Sequence, residues 1–228
     1  MMVDPPQLTI RKNFMRPSHH DLLNFRDAPT GWIVDSIGRR GALPHWVRPL
    51  TDLKRFVGSA ITVGSRPNDN LAPYAALKFA QPGDVLVVTT DGDERASVLG
   101  DVLLGMAKNA GIIAVVTDGL VRDIAGLNVV GIPVFARALS PNSPFKNGPG
   151  TVGLPITLGG IFIESGDVLV GDTDGVVVVP VAEMNKAATK LKAIAAKEAR
   201  MDKAVADGAP YPSWLDDILD SDAVSYID

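Results

Sequence analysis

Apolar residues in the middle of the chain form short continuous runs, and helix-like segments separate these runs. Short apolar runs bounded by turn residues are typical of strands. The predicted strands cover residues 56–65, 84–90, 112–118 and 133–139, and the predicted helices cover residues 69–84, about 101–110 and 122–131. The run DVLVVTT, residues 84–90, is the pattern of a strand covered on both faces. Strands that alternate with helices in this way predict one α/β domain with a mixed sheet.

The first 50 residues differ from this middle part. Prolines interrupt them at positions 5, 6, 17, 29, 44 and 49. Two short helical candidates stand out at 18–27 and 29–41. We therefore expect residues 1–50 to form a helical arm in front of an α/β core at 51–180.

The end of the core and the C-terminus carry further signals. Segment 140–160 is rich in Gly and Pro and predicts a long loop, whereas residues 162–180 predict two short strands around a turn. From Val181 to about Ala206 the chain is alanine-rich with interspersed Lys and Glu, which predicts a helix facing solvent or a partner. Residues 181–228 are therefore expected to form a C-terminal helix and tail.

Composition excludes several classes of protein. Of 228 residues, 46% are hydrophobic and 21% are charged, which is ordinary for a globular protein with a sizeable core. The net charge of −4 and the pI near 5.4 give no reason to expect a nucleic-acid partner. The absence of cysteine excludes disulfides, thiolate metal sites and a cysteine nucleophile. Since no apolar run approaches membrane-spanning length and the N-terminus has no apolar leader, we expect a cytoplasmic protein without a membrane partner.

Several residues and motifs that are typical of cofactor or catalytic sites lie in the wrong context here. GPGTVG at 148–153 fits the dinucleotide-binding glycine string, but it lies in a loop and is followed by extended sequence, so we reject NAD. The histidines at 19, 20 and 45 all fall in the N-terminal arm, which argues against a histidine triad or a zinc site. Lys108 and Lys146 could form a Schiff base in principle, although solvated lysines are the commoner case.

One polar constellation remains, at the ends of the predicted strands 84–90 and 112–118. If these strands are parallel neighbours, Asp101, Arg122 and Asp123 lie at the same carboxyl-end edge of the sheet, where ligands of α/β proteins bind. A helix beginning near Asp101 would present the free amides of Val102 and Leu103 to a small carboxylate.

The chemistry of these side chains allows two interpretations. Arg122 offers a planar fork for a carboxylate or carbonyl oxygen. Asp101 and Asp123 are hard oxygen ligands, and without thiols or nearby histidines they favour Mg²⁺ or Mn²⁺ over zinc. In the alternative interpretation the two aspartates only cap helices and Arg122 is their surface partner.

An ordered set of motifs resembles the RraA-like family. The set comprises PGDVLVV (82–88), Asp101 followed after twenty residues by Arg122-Asp123, DGLVRD (118–123), GIPVFAR (131–137), GPG (148–150) and GDTDGVVVVP (171–180). This family includes the class II aldolases of 4-hydroxy-4-methyl-2-oxoglutarate and 4-carboxy-4-hydroxy-2-oxoadipate, and also regulators of ribonuclease E activity. The resemblance implies an α-β-β-α sandwich of the swivelling β/β/α type and a trimer or hexamer with sites between subunits.

The resemblance also implies roles for individual residues. It assigns metal binding to Asp123, polarisation of the substrate to Arg122, and contact with metal-held water to Asp101. Gly100 and the amides of Val102 and Leu103 would bind the substrate carboxylate, and Glu198 would reach the site from a neighbouring subunit. The implied enzyme is a divalent-metal-dependent pyruvate aldolase, with Mg²⁺ preferred and oxaloacetate decarboxylation as a side activity. The alternative is a non-catalytic regulator of ribonuclease E.

Overall fold

The strands and helices are described by a computed structural model that covers residues 6–227. The strands are β1 (Leu8–Ile10), β2 (Arg48–Pro49), β3 (Phe56–Ser65), β4 (Asp84–Thr89), β5 (Ser97–Leu99), β6 (Ala114–Thr117), β7 (Leu120–Val121), β8 (Val134–Ala136), β9 (Ala138–Leu139), β10 (Gly150–Val152), β11 (Ile156–Leu158), β12 (Ile161–Ile163), β13 (Val168–Asp172) and β14 (Gly175–Val179). The helices are α1 (His19–Leu23), α2 (Thr30–Ser36), α3 (Leu71–Ala76), α4 (Asp101–Asn109), α5 (Ile124–Val130), α6 (Met184–Ala206) and α7 (Trp214–Leu219).

The strands form a large mixed sheet and two small ones. The large sheet has the order β1-β10-β3-β4-β6-β8-β2, and β13 joins it by pairing antiparallel with β3 and β14. Its centre, β3-β4-β6-β8, is parallel. A second sheet, β5-β7-β9, is parallel throughout, and β11-β12 is a small antiparallel pair. The predicted mixed α/β fold is confirmed.

Alternation along the central strands explains the layers. In β4, Leu86 and Val88 pack in a core that includes residues of α3, α4 and α5, whereas Val85 and Val87 pack in a second core with residues of β11 to β14. A strand buried on both faces needs apolar residues at every position, which is why 84–90 reads as a continuous run. A third core joins β13 and β14 to α1, α2 and α6. The layers therefore run from helices α3, α4 and α5 to the central strands of the large sheet, then to β11 through β14, and finally to helices α1, α2 and α6.

Residues of the first 50 positions take part in these layers. β1 pairs with β10, and β2 pairs with β8 at the other end of the large sheet. Phe25, Ile33 and Ile37 are buried in the third core. The predicted division at 50/51 and 180/181 stays a prediction, and residues 1–5 of the predicted arm and Asp228 of the tail lie outside the described residues.

The short strands were the least predictable part. β5 falls between the predicted strand 84–90 and the predicted helix at about 101–110, where no strand was predicted, and β10 and β11 fall in the predicted loop 140–160. The predicted strand 133–139 is two strands, β8 and β9, which belong to different sheets. The predicted helix 69–84 is helical only from Leu71 to Ala76. Strands of two or three residues are too short to show a two-residue period.

Helix α6 is anchored only near its start. Its buried residues are Met184, Ala187 and Leu191, and the remaining part of the helix up to Ala206 has none. Within residues 6–227, no helix has both the length and the apolar character needed to cross a membrane.

Asp167 makes the stability of this fold depend on pH. The carboxylate is buried and accepts hydrogen bonds from the backbone N–H groups of Glu164 and Val181, each at 2.9 Å. Burial raises the pKa of Asp167 above its ordinary value, and the two hydrogen bonds offset this only in part. The folded state therefore takes up this proton at a higher pH than the unfolded state does, so the ionised form costs stability above the folded pKa and protonation relieves the cost as pH falls.

We expect Asp167→Asn to remove this dependence, because an amide does not titrate in this range. The difference in free energy of unfolding between wild type and variant should shift in favour of the wild type as pH is lowered from 7 towards 4. Urea unfolding at several pH values measures it. A difference that is constant, or that shifts towards the variant, would contradict the assignment.

Candidate active site

Two parallel strands of the second sheet bring the predicted residues together. The strands 84–90 and 112–118 are parallel neighbours as predicted, because β4 pairs with β6. Between each of them and the site lies a short strand that sequence analysis missed, β5 before Gly100 and β7 before Arg122. β5 pairs with β7, and the N–H of Arg122 donates to the carbonyl of Leu99 at 3.1 Å. The starts of α4 and α5 are therefore held side by side.

The contact between these two helix starts is a reciprocal fit of glycine and aspartate. A Cβ at Gly100 would lie 2.7 Å from Oδ2 of Asp123. A Cβ at Gly126, in α5, would lie 2.4 Å from Oδ2 of Asp101. Real Cβ atoms do not approach oxygen this closely, so each aspartate lies in space that exists because the opposite residue has no side chain.

The aspartates do not act as ordinary helix caps. Asp123 occupies the position before α5, but its side chain makes no capping hydrogen bond, and its backbone is left-handed with φ of 61°. Its Oδ2 lies 3.2 Å from Nε of Arg122 instead. Asp101 is the first residue of α4, and its Oδ1 accepts from the neighbouring N–H of Val102 at 2.7 Å. The capping interpretation therefore does not describe Asp123.

Arg122 is oriented from two sides. Besides the ion pair with Asp123, its Nη1 donates to Oγ of Ser143 at 2.6 Å. The side chains of Arg122 and Asp123 are 37% and 43% exposed, so both the guanidinium and the carboxylate remain accessible to a ligand.

All six predicted residues of this rim line one cavity of about 100 Å³: Gly100, Asp101, Val102, Leu103, Arg122 and Asp123. Sequence reasoning missed part of the opposite wall, which contains Asn70, Tyr74, Ser97, Leu99, Ser143 and Pro144. Lys146 lines the cavity as well and remains exposed, in agreement with the expectation of a solvated lysine. Tyr74 lies in α3 and Ser97 and Leu99 lie in β5, while the others lie in loops; none belongs to a motif, so only the fold brings them to the rim.

Asp69 holds much of that opposite wall in place. Its Oδ1 accepts from the N–H of Leu71 at 2.9 Å, and its Oδ2 accepts from Asn147 at 2.6 Å and Gly148 at 3.1 Å. One buried carboxylate thus ties the start of α3 to the loop that carries Ser143 and Lys146. Beside it, Asn70 is 6% exposed and donates to Val98, while its Oδ1 has no hydrogen-bond partner among residues 6–227.

The rim fits a divalent cation held by few protein ligands. Within the described part of the chain, no three His, Asp or Glu side chains converge on one point. Mg²⁺, however, is commonly bound through one or two carboxylates and completes its shell with water. Asp123, accessible and without a hydrogen bond to its own helix, is such a ligand, and Asp101 lines the same cavity.

Glu198 is the one predicted site residue that the structure does not bring to this cavity. It lies on α6, half-buried, and does not line the cavity of its own chain. Its predicted role requires a neighbouring subunit and stays a prediction.

Comparison with known protein families identifies the family to which this chain belongs. The profile of the RraA-like family, described as Aldolase/RraA, matches residues 25–178. The chain belongs to the RraA-like family. The resemblance inferred from the sequence motifs is therefore confirmed.

Individual relatives within the RraA-like family carry different names. A protein of Halalkalibacterium halodurans named "Putative 4-hydroxy-4-methyl-2-oxoglutarate aldolase" is 37% identical over 82% of this chain and 89% of its own length. An uncharacterised protein of Pseudomonas syringae has a similar crystal structure, with a TM-score of 0.77 and 28% identity over 86% of this chain and 93% of that one. The RNA-processing inhibitor RraA of Thermus thermophilus matches with a TM-score of 0.63 and 31% identity, over 68% and 93%. These names support an aldolase-type activity and show that the family also contains an inhibitor.

The close fit at Gly126 can be tested by comparison with Gly105, a helical glycine whose added Cβ would meet nothing within 4 Å. Gly105→Ala should raise the free energy of unfolding by up to about 1 kcal/mol, because alanine favours helix. Gly126→Ala gains the same propensity but displaces Asp101, and should lower stability by about 1–3 kcal/mol. Urea unfolding of both variants measures the contrast, and equal effects would show that the contact with Asp101 carries no constraint.

Proposed function

We propose that the protein is a divalent-metal-dependent lyase that cleaves a 4-hydroxy-2-oxo dicarboxylic acid to pyruvate and a second 2-oxo acid. 4-Hydroxy-4-methyl-2-oxoglutarate is the proposed substrate, with oxaloacetate decarboxylation as a side activity. The observation that carries the proposal is the convergence of Arg122, Asp123 and the first amides of α4 on one cavity. The name of the Halalkalibacterium relative supports the same class of reaction.

In this proposal the first residues of α4 bind the substrate's carboxylate. The N–H groups of Val102 and Leu103 lie at the start of a helix, where the backbone favours negative charge. Oδ1 of Asp101 now accepts from the N–H of Val102. A substrate carboxylate bound there displaces it and leaves the Asp101 side chain free to exchange a proton.

Arg122 stabilises the charge that develops in the reaction. Breaking the C3–C4 bond leaves its electron pair on the pyruvate fragment as an enolate, while C4 becomes a carbonyl. The guanidinium fork, oriented by Asp123 and Ser143, binds the 2-oxo oxygen where the negative charge accumulates. Asp123 would hold Mg²⁺, or Mn²⁺, which when bound supplies Lewis-acid polarisation of that oxo group.

The protons move through carboxylates at the rim. The proton of the C4 hydroxyl passes, directly or through water, to Asp101 or to Glu198 of a neighbouring subunit, and a proton is later returned to C3 of the enolate. A role for Glu198 requires a homo-oligomer, proposed here as a trimer or hexamer. Lys146 adds a second cation to the cavity wall and suits the distal carboxylate of a dicarboxylic substrate.

A second candidate function is regulation of ribonuclease E by surface contact. The 31% identity to the RNA-processing inhibitor of Thermus thermophilus favours it. Regulation of this kind needs neither a divalent ion nor the fork of Arg122, so the two functions are separable by experiment.

The direct test is pyruvate release by the purified protein from 4-hydroxy-4-methyl-2-oxoglutarate and from oxaloacetate. We expect turnover with Mg²⁺ or Mn²⁺ and its loss in excess EDTA, restored by returning the ion. Turnover that persists in EDTA would reject the role of the cation. No turnover of either acid with either ion, together with inhibition of ribonuclease E, would favour the regulator.

Two substitutions separate chemistry from structure. Arg122→Lys keeps the charge but loses the fork, and should lower kcat by about 10²–10³, the usual effect of losing one such donor. Asp123→Asn should weaken the binding of Mg²⁺, and with it lower the rate, while the protein still folds. The matched control is Arg39→Lys at a side chain that is 88% exposed, and it should leave the rate unchanged. Wild-type rates in both site variants, with unchanged melting temperatures, would exclude the proposed roles.

A further inference from the structure

The C-terminal segment 207–228, here called the acidic tail, has a charge opposite to that of the rest of the chain. It contains six of the 26 acidic residues and none of the 22 basic ones: Asp207, Asp216, Asp217, Asp220, Asp222 and Asp228. Residues 1–206 consequently carry a net positive charge, although the whole chain is at −4. An attraction between the tail and the body is therefore built into the sequence.

The acidic tail also exposes large apolar side chains. Tyr211 is 53% exposed, Trp214 is 56% exposed and Ile218 is 46% exposed. Helix α7, which carries Trp214 and Ile218, has no buried residue. Clustered exposed aromatic and aliphatic side chains of this kind mark an interaction surface.

Helix α6 carries this tail away from the body of its own subunit. After Leu191, its last buried residue, the helix continues for about four turns, or roughly 22 Å, to Ala206. Its anchored part packs in the core formed by α1, α2, β13 and β14. Among residues 6–227, none buries a residue of α7.

At the loops after β3 and before β5, a separate cavity of about 400 Å³ has the complementary character. It is lined by Arg66, Asn68, Asp69, Arg95, Phe145 and Asn147, and we call it the arginine pocket. The tail of the same chain contributes no residue to its lining.

The accessible charge of the arginine pocket is positive. Nη1 of Arg66 donates to the carbonyl of Gly148 at 3.2 Å, and this arginine forms no ion pair within residues 6–227. Arg95 pairs with Asp93, but the arginine side chain is 67% exposed and the aspartate only 8%. Asp69 is buried, and its oxygens are occupied by backbone N–H groups.

A further feature of the pocket indicates the chemistry of its occupant. Phe145 is 60% exposed and offers an apolar ring. A fitting occupant therefore carries both negative charge and an apolar or aromatic group. An acidic peptide with an aromatic residue has both, whereas a small inorganic anion has only the first.

We propose that the acidic tail of one subunit docks in the arginine pocket of a second copy of this chain. Asp216 and Asp217 pair with Arg66 and Arg95, and Trp214 packs against Phe145. The arginine pocket adjoins the cavity of Arg122 and Asp123, since the same loops line both, but the docking does not depend on the proposed reaction.

Because the chain contains no cysteine, single introduced thiols report the contact without background. One full-length chain carries Asn147→Cys in the pocket, and another carries Ser213→Cys beside Trp214. The two chains bear different tags, are co-expressed and are oxidised after co-purification. We expect a disulfide between the two different chains on a non-reducing gel. The control replaces the pocket thiol by Val129→Cys, at a position on α5 that is 87% exposed, and should give at least about tenfold less product.

Charge reversal tests the chemistry of the contact. Arg66→Glu with Arg95→Glu on the pocket chain should lower the yield at least about tenfold, because like charges then face each other. Asp216→Lys with Asp217→Lys on the tail chain should restore it. Asp216→Asn with Asp217→Asn, at exposed positions that do not threaten folding, should lower the yield without any change in the pocket.

Three results would overturn the proposal. The first is an equal yield with the Val129→Cys control, which indicates random collision. The second is a disulfide found only within one chain that carries both Asn147→Cys and Ser213→Cys. The third is a yield unaffected by any of the charge variants, since the pairing of aspartates with arginines is then absent.

Discussion

The reciprocal contact between α4 and α5 is the constraint on which the rest of the site depends. Asp123 lies against Gly100 and Asp101 lies against Gly126, so a Cβ at Gly126 would meet the Cβ and Cγ of Asp101, and one at Gly100 would have to displace the carboxylate of Asp123. The parallel pairing of β5 with β7 aligns the two helix starts, and the two glycines let them approach. Without this approach the carboxylates and the Arg122 guanidinium would line different grooves rather than a single cavity.

The layers of the fold explain why the rim can be polar although the strands beneath it are not. Val85 and Val87 face one core and Leu86 and Val88 face the other, so β4 has no solvated face. Charged side chains are therefore confined to the ends of the central strands and to the loops beyond them. Asp69 uses this arrangement: it is buried, yet it accepts three backbone N–H groups and joins two of those loops.

Sequence reasoning found the site residues that lie just after long apolar runs or at predicted helix starts. It missed the cavity residues that only long-range contacts between loops bring to the site. Asp101, Arg122 and Asp123 could be predicted to share an edge because β4 and β6 show an unmistakable buried-strand pattern. β5 and β7 could not be predicted, since two or three residues carry no period. Asn70, Ser143 and Lys146 reach the cavity through loops that Asp69 ties together, and no local pattern encodes that long-range contact.

The same limit applies at the C-terminus. The alanine-rich pattern predicted helix α6 correctly, and its Lys and Glu residues indicated an accessible face. Its periodicity did not reveal that burial stops at Leu191, because what ends there is the body of the protein rather than the helical pattern. Whether Glu198 meets a ligand is accordingly a property of an assembly and not of one folded chain.

The hydrogen bond from the N–H of Val102 to Oδ1 of Asp101 has a consequence for affinity. The protein's own carboxylate occupies a donor that an incoming carboxylate would use, and so acts as a tethered competitor. If this internal contact is worth about 1 kcal/mol, a typical net value for a hydrogen bond, it weakens the apparent binding of any carboxylate there by roughly fivefold. The same competition lowers the affinity for a small carboxylate product and so favours its release. The start of α4 is therefore suited to brief occupancy by a ligand and not to its storage.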